Sequence, residues 1–491
     1  MVNKTTSRKS DTRRSIPPRY CVEPRLLYST HDKVYSPRHP PARFNKKLAL
    51  LLVLYLVFLT NLCLILFTNC FSALSPEEPG APAQSQETTT ADGGGPLVLV
   101  HYMPWYDGPS TKAQENELRV YGGHWTGWGE IRCSETTAEG KANIYARQYP
   151  LTGPYDGDTE ILLQYQTALM KIAGIDGVIF DWYGSNTVND FGAIHENTKA
   201  MVKVLKSANL KFLLCYEDNT LNMTNYAKND PAAVAVGKSV FDWAQKNWFT
   251  DAAYVHYKGR PVVVCFGPQY FSTKAQWEEV FSGVDPAPYF GDLDNRYSWA
   301  DFSYNWMPMS RSVNGVLSQE SLNRYLDSFY SGAQSNKPYR MATAFSAFDD
   351  CYELIGGKSY GALDYADGAV FALTFEKAAA QEPQIIQIAT WNDYGEGTII
   401  EPTIERGYAE LEYLQDRQRE WDADFPFTKE DLRYPLEFYK LLYTGTADSS
   451  ERTAIAAAYA AVFAGSAETF RAEAAKTGVT VDMRDLKPLL R

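Results

Sequence analysis

One apolar run sets the terms for this chain. Leu48 to Leu74 reads LALLLVLYLVFLTNLCLILFTNCFSAL, and no charged residue lies between Lys47 and Glu77. About 20 apolar residues suffice to cross the roughly 30 Å of a bilayer's hydrocarbon. A soluble helix of this length would carry a polar stripe every third or fourth residue, and this run has none. The alternative is a cleaved signal peptide, whose apolar region spans about 7–15 residues after a short basic start. Here a tail of 47 residues comes first and no A-x-A site follows. The run therefore reads as an uncleaved signal-anchor, a single transmembrane helix.

Charge divides the chain around it. Residues 1–47 hold 12 Lys and Arg against three acids, a net +9, so the total of −12 leaves −21 for the rest. Arg38, Arg43, Lys46 and Lys47 lie just before the run, which predicts a cytoplasmic N-terminus. The expected topology is single-pass type II. Residues 1–47 form a basic cytoplasmic tail, 48–74 the membrane segment and 75–96 a flexible stem (SPEEPGAPAQSQETTTADGGGP). The body then lies in a Golgi-like lumen or outside the cell. Asn222-Met223-Thr224 is a glycosylation sequon on that side. The acidic body, and a pI near 5.2 for the whole chain, argue against nucleic acid as the main partner. Seven cysteines in 491 residues exclude a small disulfide scaffold. Cys215 and Cys265 sit in apolar runs and read as buried thiols. No CxxC or His/Cys spacing points to zinc, so neither metal nor cofactor is expected.

From Pro96 onward, short apolar runs alternate with amphipathic stretches. The expected strands are 97–103, 177–182, 211–216, 262–266, 288–292, 300–306, 341–346 and 385–391. Helices are expected at 159–173, 195–208, 235–248, 274–282, 318–332 and 370–380. Continuous apolar strands suit a parallel sheet covered by helices. Eight of them predict an α/β fold, a (β/α)8 TIM barrel over 97–403, with a helix-rich C-terminal extension over 404–491 packed on it. A doubly wound open sheet is the alternative, but no GxGxxG or GxxxxGK[ST] supports it. The long connection from Asp107 to Asp158 is an insertion after the first strand.

A barrel of this kind places its chemistry at the C-terminal ends of the strands. Asp181, Glu217, Asp349 and Asp350 stand there. The densest group is Trp391-Asn392-Asp393-Tyr394-Gly395-Glu396-Gly397-Thr398. Asp393 and Glu396 are three apart in a glycine-punctuated turn that can point both carboxylates into one cavity. Glycoside hydrolysis needs two carboxyl groups in different protonation states. The pair could instead cap a following helix. Aromatic residues gather near the same strand ends: Tyr102, Trp105, Tyr106, Trp182, Tyr183, Trp306 and Trp391. Such rings stack on sugars, although any single one is by default core. His124 and Trp125 in the insertion are candidates to roof the cleft; a structural hydrogen bond is the equal alternative for His124. The absence of G-x-S-x-G and H-E-x-x-H argues against a serine hydrolase and a zinc protease.

Three segments carry a family resemblance: His101-Tyr102-Met103-Pro104-Trp105-Tyr106, the run GIDGVIFDWYG from Gly174 to Gly184, and WNDYGEGTIIEP from Trp391 to Pro402. In order and spacing, over about residues 97–403, they resemble glycoside hydrolase families 99 and 71. Family 99 contains endo-α-mannosidases and endo-α-mannanases on a (β/α)8 barrel that need no metal for the chemistry, and its animal members carry a Golgi type II anchor. The resemblance implies that Asp393 is the base, assisting the sugar's own 2-hydroxyl, and that Glu396 is the general acid. It also places a family glutamate at Glu217. Family 99 usually has Glu and Trp where this chain has Asp393 and Tyr394. W-N-D-Y-G-E instead resembles family 71, the α-1,3-glucanases, for which inversion by water is the expected course.

The reading is thus a membrane-anchored, endo-acting glycoside hydrolase for α-linked oligo- or polysaccharides, with α-mannan favoured over α-1,3-glucan. Asp393 and Glu396 are the expected catalytic residues. Tyr102, Trp105, Tyr106, His124, Trp125, Asp181, Trp182, Tyr183, Glu217, Trp306, Trp391 and Asn392 are the expected substrate contacts. Two rivals remain. One is a type II glycosyltransferase using Asp292-Leu293-Asp294 for Mn²⁺ and a nucleotide-sugar; the other is a sugar-binding barrel without turnover.

Overall fold

The computed structural model describes residues 95–107, 123–132, 135–186, 188–224, 230–332 and 337–483. The basic tail, the apolar run 48–74, the stem up to residue 94 and Cys133 lie outside these residues. Among the described residues no helix is long and apolar enough to cross a membrane.

Eight parallel strands form, each within three residues of its expected ends: β1 Leu97–Tyr102, β2 Gly177–Trp182, β3 Lys211–Tyr216, β4 Arg260–Cys265, β5 Tyr289–Leu293, β6 Phe302–Tyr304, β7 Met341–Ala344 and β8 Ile385–Ile388. Their order is β6-β5-β4-β3-β2-β1-β8-β7. The first and eighth strands pair, Val100 opposite Ile388, so the sheet curls into a nearly closed barrel. At the remaining seam, between β6 and β7, side-chain bonds stand in for the ladder. The Thr343 hydroxyl donates to the Asn305 carbonyl at 2.6 Å, and the Thr343 N–H donates to Asn305 Oδ1 at 3.3 Å.

Helices cover the outside: α1 Glu160–Ala173, α2 Phe191–Ser207, α3 Pro231–Asn247, α4 Lys274–Val280, α5 Gln319–Ser331, α6 Ala369–Ala379 and α7 Ala409–Trp421. Both α2 and α3 begin four residues earlier than expected. At α3 the reason is local chemistry: the Asp230 carboxylate accepts the Ala232 N–H at 2.8 Å, and Pro231 supplies a preset φ at the first helical position. The short link from β5 to β6 carries no helix.

Beyond α7, three more helices follow: α8 Tyr434–Tyr443, α9 Ser449–Phe463 and α10 Ala467–Lys476. The first two pack against α1, where the Tyr165 and Tyr439 rings lie 5.5 Å apart, and α10 packs on α9. On α7, Gln415 donates to the Ile172 carbonyl at 2.9 Å. A plain barrel helix would expose the outer side of α1; here Tyr165 and Leu169 are fully buried.

Strand alternation decides which side chains enter the barrel. Cys215 on β3 reaches the Tyr304 hydroxyl of β6 at 3.7 Å, a contact possible only through the interior. Cys215 pairs with Asp181 on β2, so Asp181 points inward as well. Its neighbour Trp182 points outward, among Trp243 and Trp248. Cys215, Cys265 and Cys351 are free and buried.

Candidate active site

After β8 the chain enters a turn whose geometry is fixed from both sides. Asn392 clasps the loop after β1: its Oδ1 accepts the Met103 N–H at 2.8 Å, and its Nδ2 donates to the Met103 carbonyl at 3.0 Å and to the Tyr155 hydroxyl at 3.2 Å. Asp393 follows, its N–H donating to Thr390 Oγ1 at 2.8 Å. Asp393 Oδ1 in turn accepts the Glu396 N–H at 3.1 Å. Gly397 then takes φ of +67°, and a Cβ there would meet the Asp349 carbonyl at 2.9 Å, so only glycine fits. No helix starts here; the next, α7, begins at Ala409. Asp393 and Glu396 therefore do not cap a helix.

On its other side the turn is bonded to the loop after β7. The Asp349 N–H donates to the Glu396 carbonyl and the Cys351 N–H to the Gly395 carbonyl, both at 2.9 Å. This loop carries Tyr352, whose hydroxyl donates to Glu396 Oε1 at 2.8 Å. Asp350 holds the loop by accepting the Tyr352 N–H at 3.2 Å, the Ser359 hydroxyl at 3.1 Å and the Tyr360 N–H at 2.7 Å. Asp349 faces Arg147 at 3.6 Å. These two carboxylates, noted in the sequence at the end of β7, serve the loop. Tyr352 had no signal in the sequence beyond its place two residues after Asp350.

Four carboxyl groups act on one another at the mouth of the barrel. Burial pushes Asp393 up to about 7, held back by the N–H groups of Glu396 and Gly395, with Glu217 adding to the rise. Burial and the Asp393 charge raise Glu396 to about 8, against the Tyr352 hydrogen bond. Glu217, just past β3, is pushed to about 8 by burial, Asp218 and Glu396. Asp181 is raised well above the usual range by burial and then by Glu217, Asp393 and Glu396. Backbone donors favour an ionised Asp393, and the Tyr352 hydroxyl does the same for Glu396, while burial raises both. Two carboxyl groups this close can share one proton, one giving it while the other takes one.

The aromatic candidates fall into two groups. Trp105, Tyr183 and His124 are half-buried at the rim. Trp105 stacks on the His124 ring at 4.5 Å, and Tyr183 lies 6.1 Å from Trp105. His124 Nε2 stands 3.4 Å from the Asp190 carboxylate, which ties the insertion to the start of α2. The Asp393 and Asp181 charges both reach Tyr183.

The second group is buried. Trp306 packs edge-on against His101 at 4.9 Å. Tyr106 accepts the Tyr394 N–H at 2.9 Å. The Trp125 indole donates to the Tyr155 carbonyl at 2.9 Å, Trp391 is fully enclosed, and Trp182 donates to His195 Nδ1 at 3.2 Å on the helix side. Tyr102 donates to Gln166 at 2.8 Å. Gln166, Tyr155 and Tyr394 all donate to Glu401, at 2.7, 2.9 and 2.7 Å. Glu401 is thus a buried hub that sequence reasoning did not single out, although it lies inside WNDYGEGTIIEP.

The Asp292-Leu293-Asp294 motif is engaged by the protein itself. Asp292 accepts from the Ser303 hydroxyl and, at 2.6 Å, from the Tyr297 N–H; Asp294 accepts from the Tyr325 hydroxyl. Asn222 is exposed on a short 3-10 helix, Asp218–Thr224. One unexpected grouping lies deeper: ligand atoms of His101, Asp181 and Cys215 are within 4.8 Å of one another.

No protein-family model and no curated protein matches the chain. Among solved structures, a GH99 endo-α-mannosidase from Bacteroides thetaiotaomicron is similar at a TM-score of 0.48 and 16% identity, over 68% of this chain and 98% of that one. A glycoside hydrolase-like protein gives 0.46 and 15%, over 69% and 97%. A GH113 β-1,4-mannanase gives 0.35 and 12%, over 55% and 95%.

Proposed function

We propose that this chain is a glycoside hydrolase of the family 99 and 71 type that cuts α-linked glycans internally. The observation that carries this reading is the buried carboxyl pair, Asp393 and Glu396, at the C-terminal mouth of a (β/α)8 barrel, beside a rim of half-buried rings. Glu396 gives its proton to the glycosidic oxygen as the C1–O bond breaks. Asp393 takes a proton from the attacking group, which is the sugar's 2-hydroxyl in a mannoside or a water in a glucan. Trp105, Tyr183 and His124 offer stacking faces and polar edges to the sugar rings. Glu217, just past β3, holds a sugar hydroxyl. Tyr106, Trp306, Trp391 and Asn392 shape the cavity. The body is held at a membrane by residues 48–74 in type II orientation, and Asn222 carries a glycan on the lumenal or outer side.

The test uses the full chain in detergent, given an α-mannan or an α-1,3-glucan, with products read by proton NMR at early times. Release of new reducing ends without any nucleotide-sugar supports the hydrolase. The polymer that is cut names the sugar, and the first anomer formed separates retention from inversion. Turnover only with a nucleotide-sugar would replace it by the transferase. Binding without turnover would replace it by the non-catalytic barrel. Extraction of the chain from membranes by alkaline carbonate would overturn the anchor.

A further inference from the structure

Three adjacent strands each bring a donor atom into the barrel from the residue before their last. His101 comes from β1, Asp181 from β2 and Cys215 from β3. Asp181 and Cys215 are direct partners in the ladder, while His101 lies opposite Ile179, two residues off. The stagger of a closed barrel brings such an offset residue into the same layer. An imidazole nitrogen, a carboxylate oxygen and a sulfur then meet within 4.8 Å of one another.

Layers inside a barrel are ordinarily filled by branched apolar side chains. Here the three side chains are 1%, 3% and 0% exposed. His101 Nδ1 and Asp181 Oδ1 have no hydrogen-bond partner although both are enclosed. Two enclosed polar atoms without a partner call for a ligand beside them.

We propose that His101, Asp181 and Cys215 form a three-ligand site for a zinc-class divalent ion inside the barrel, with Asp181 shared with the carboxyl cluster at its mouth. The donor set chooses the metal. Calcium and magnesium take six or more oxygens, which this site does not offer. A mixed N, O and S set suits zinc, which binds these atoms at about 2.0–2.3 Å in tetrahedral geometry. Those bond lengths put ligand atoms about 3.5 Å apart, so the side chains need to draw in by about an ångström. The fourth position falls to water. This site stands whether or not the chain cleaves glycans.

The test is cobalt substitution of the full chain in detergent under a non-chelating reductant. The expected result is one equivalent of Co²⁺ bound with a near-ultraviolet thiolate-to-cobalt charge-transfer band, bleached by Zn²⁺. Cys215→Ser abolishes the band, His101→Gln weakens Co²⁺ binding at least 10-fold, and Cys265→Ser leaves both unchanged. No band at one equivalent, or a band that survives Cys215→Ser, overturns the site. Should Cys215→Ser fail to fold, zinc-edge X-ray absorption of the zinc-loaded wild-type chain decides. One sulfur with nitrogen and oxygen neighbours supports the site, and a shell without sulfur overturns it. None of these readouts depends on turnover, so failure here and failure of the glycosidase reading are separate results.

Discussion

The Tyr352 hydroxyl donates to Glu396 Oε1 at 2.8 Å, across 44 residues of sequence. This donor favours the ionised carboxylate and so opposes the burial and the Asp393 charge that raise it. Tyr352→Phe removes that opposition, and the Glu396 ionisation then moves further up. The alkaline limb of the pH–kcat profile is expected to shift to higher pH, with kcat down about 10-fold through lost positioning. A tyrosine with a packing role alone would lower kcat without moving the limb.

Replacing either member of the pair tests the chemistry itself. Glu396→Gln and Asp393→Asn are each expected to lower kcat about 10³-fold or more, the scale of a lost general acid or base. Circular dichroism and the melting temperature should show a folded protein in both. A loss of only a few-fold in either variant would remove that residue from the reaction.

Stability should depend on pH in a definite direction. Glu396 ionises near 4.3–4.5 when unfolded and near 8 when folded. The folded value is the higher one, so its contribution is fully present below about pH 4.5 and is lost as pH rises through about 8. Melting temperature is expected to fall by several degrees from pH 5 to pH 8, and to fall less in Glu396→Gln. An equal fall in parent and variant would show that Glu396 is not held protonated.

Two tryptophans separate a cleft role from a packing role. Trp105 stacks on His124 at the rim, so Trp105→Ala should raise KM about 10-fold while costing under about 1 kcal/mol of stability. Trp182 packs between the sheet and α2 and α3, so Trp182→Ala should cost about 3–5 kcal/mol. KM should barely change for the Trp182 variant that remains folded. Denaturant titration and saturation kinetics on both variants check the contrast.

Much of the barrel was legible because parallel strands buried on both faces carry continuous apolar runs. VLVHY, GVIFDW and KFLLCY announce themselves without alternation. Which way each side chain points was not legible, because a strand buried on both faces has no polar side to mark. Trp182 was expected at the sugar for this reason, and its indole instead meets His195 behind the sheet. The turn from Trp391 stood out through its glycines and carboxylates. Tyr352 and Glu401 did not, since the partner of Tyr352 lies 44 residues away and two of the partners of Glu401 lie 235 and 246 away. The His101, Asp181 and Cys215 grouping shows the same limit. Metal motifs are read from close spacing, and these donors are brought together by three strands lying side by side.

The pairing of β1 with β8 bears on how the chain is made. Val100 pairs early with Val178 but finds its second partner only when Ile388 has been synthesised, and the turn with Asp393 and Glu396 follows directly behind. At about 5–20 residues per second, the ribosome needs from about a quarter of a minute to a full minute to cover that gap. Through that interval the first strand offers one bare edge, open to wrong partners. The carboxyl pair comes after every other strand-end residue of the cleft, so a nascent chain carries the rim of the cleft before it has the means to act on anything held there.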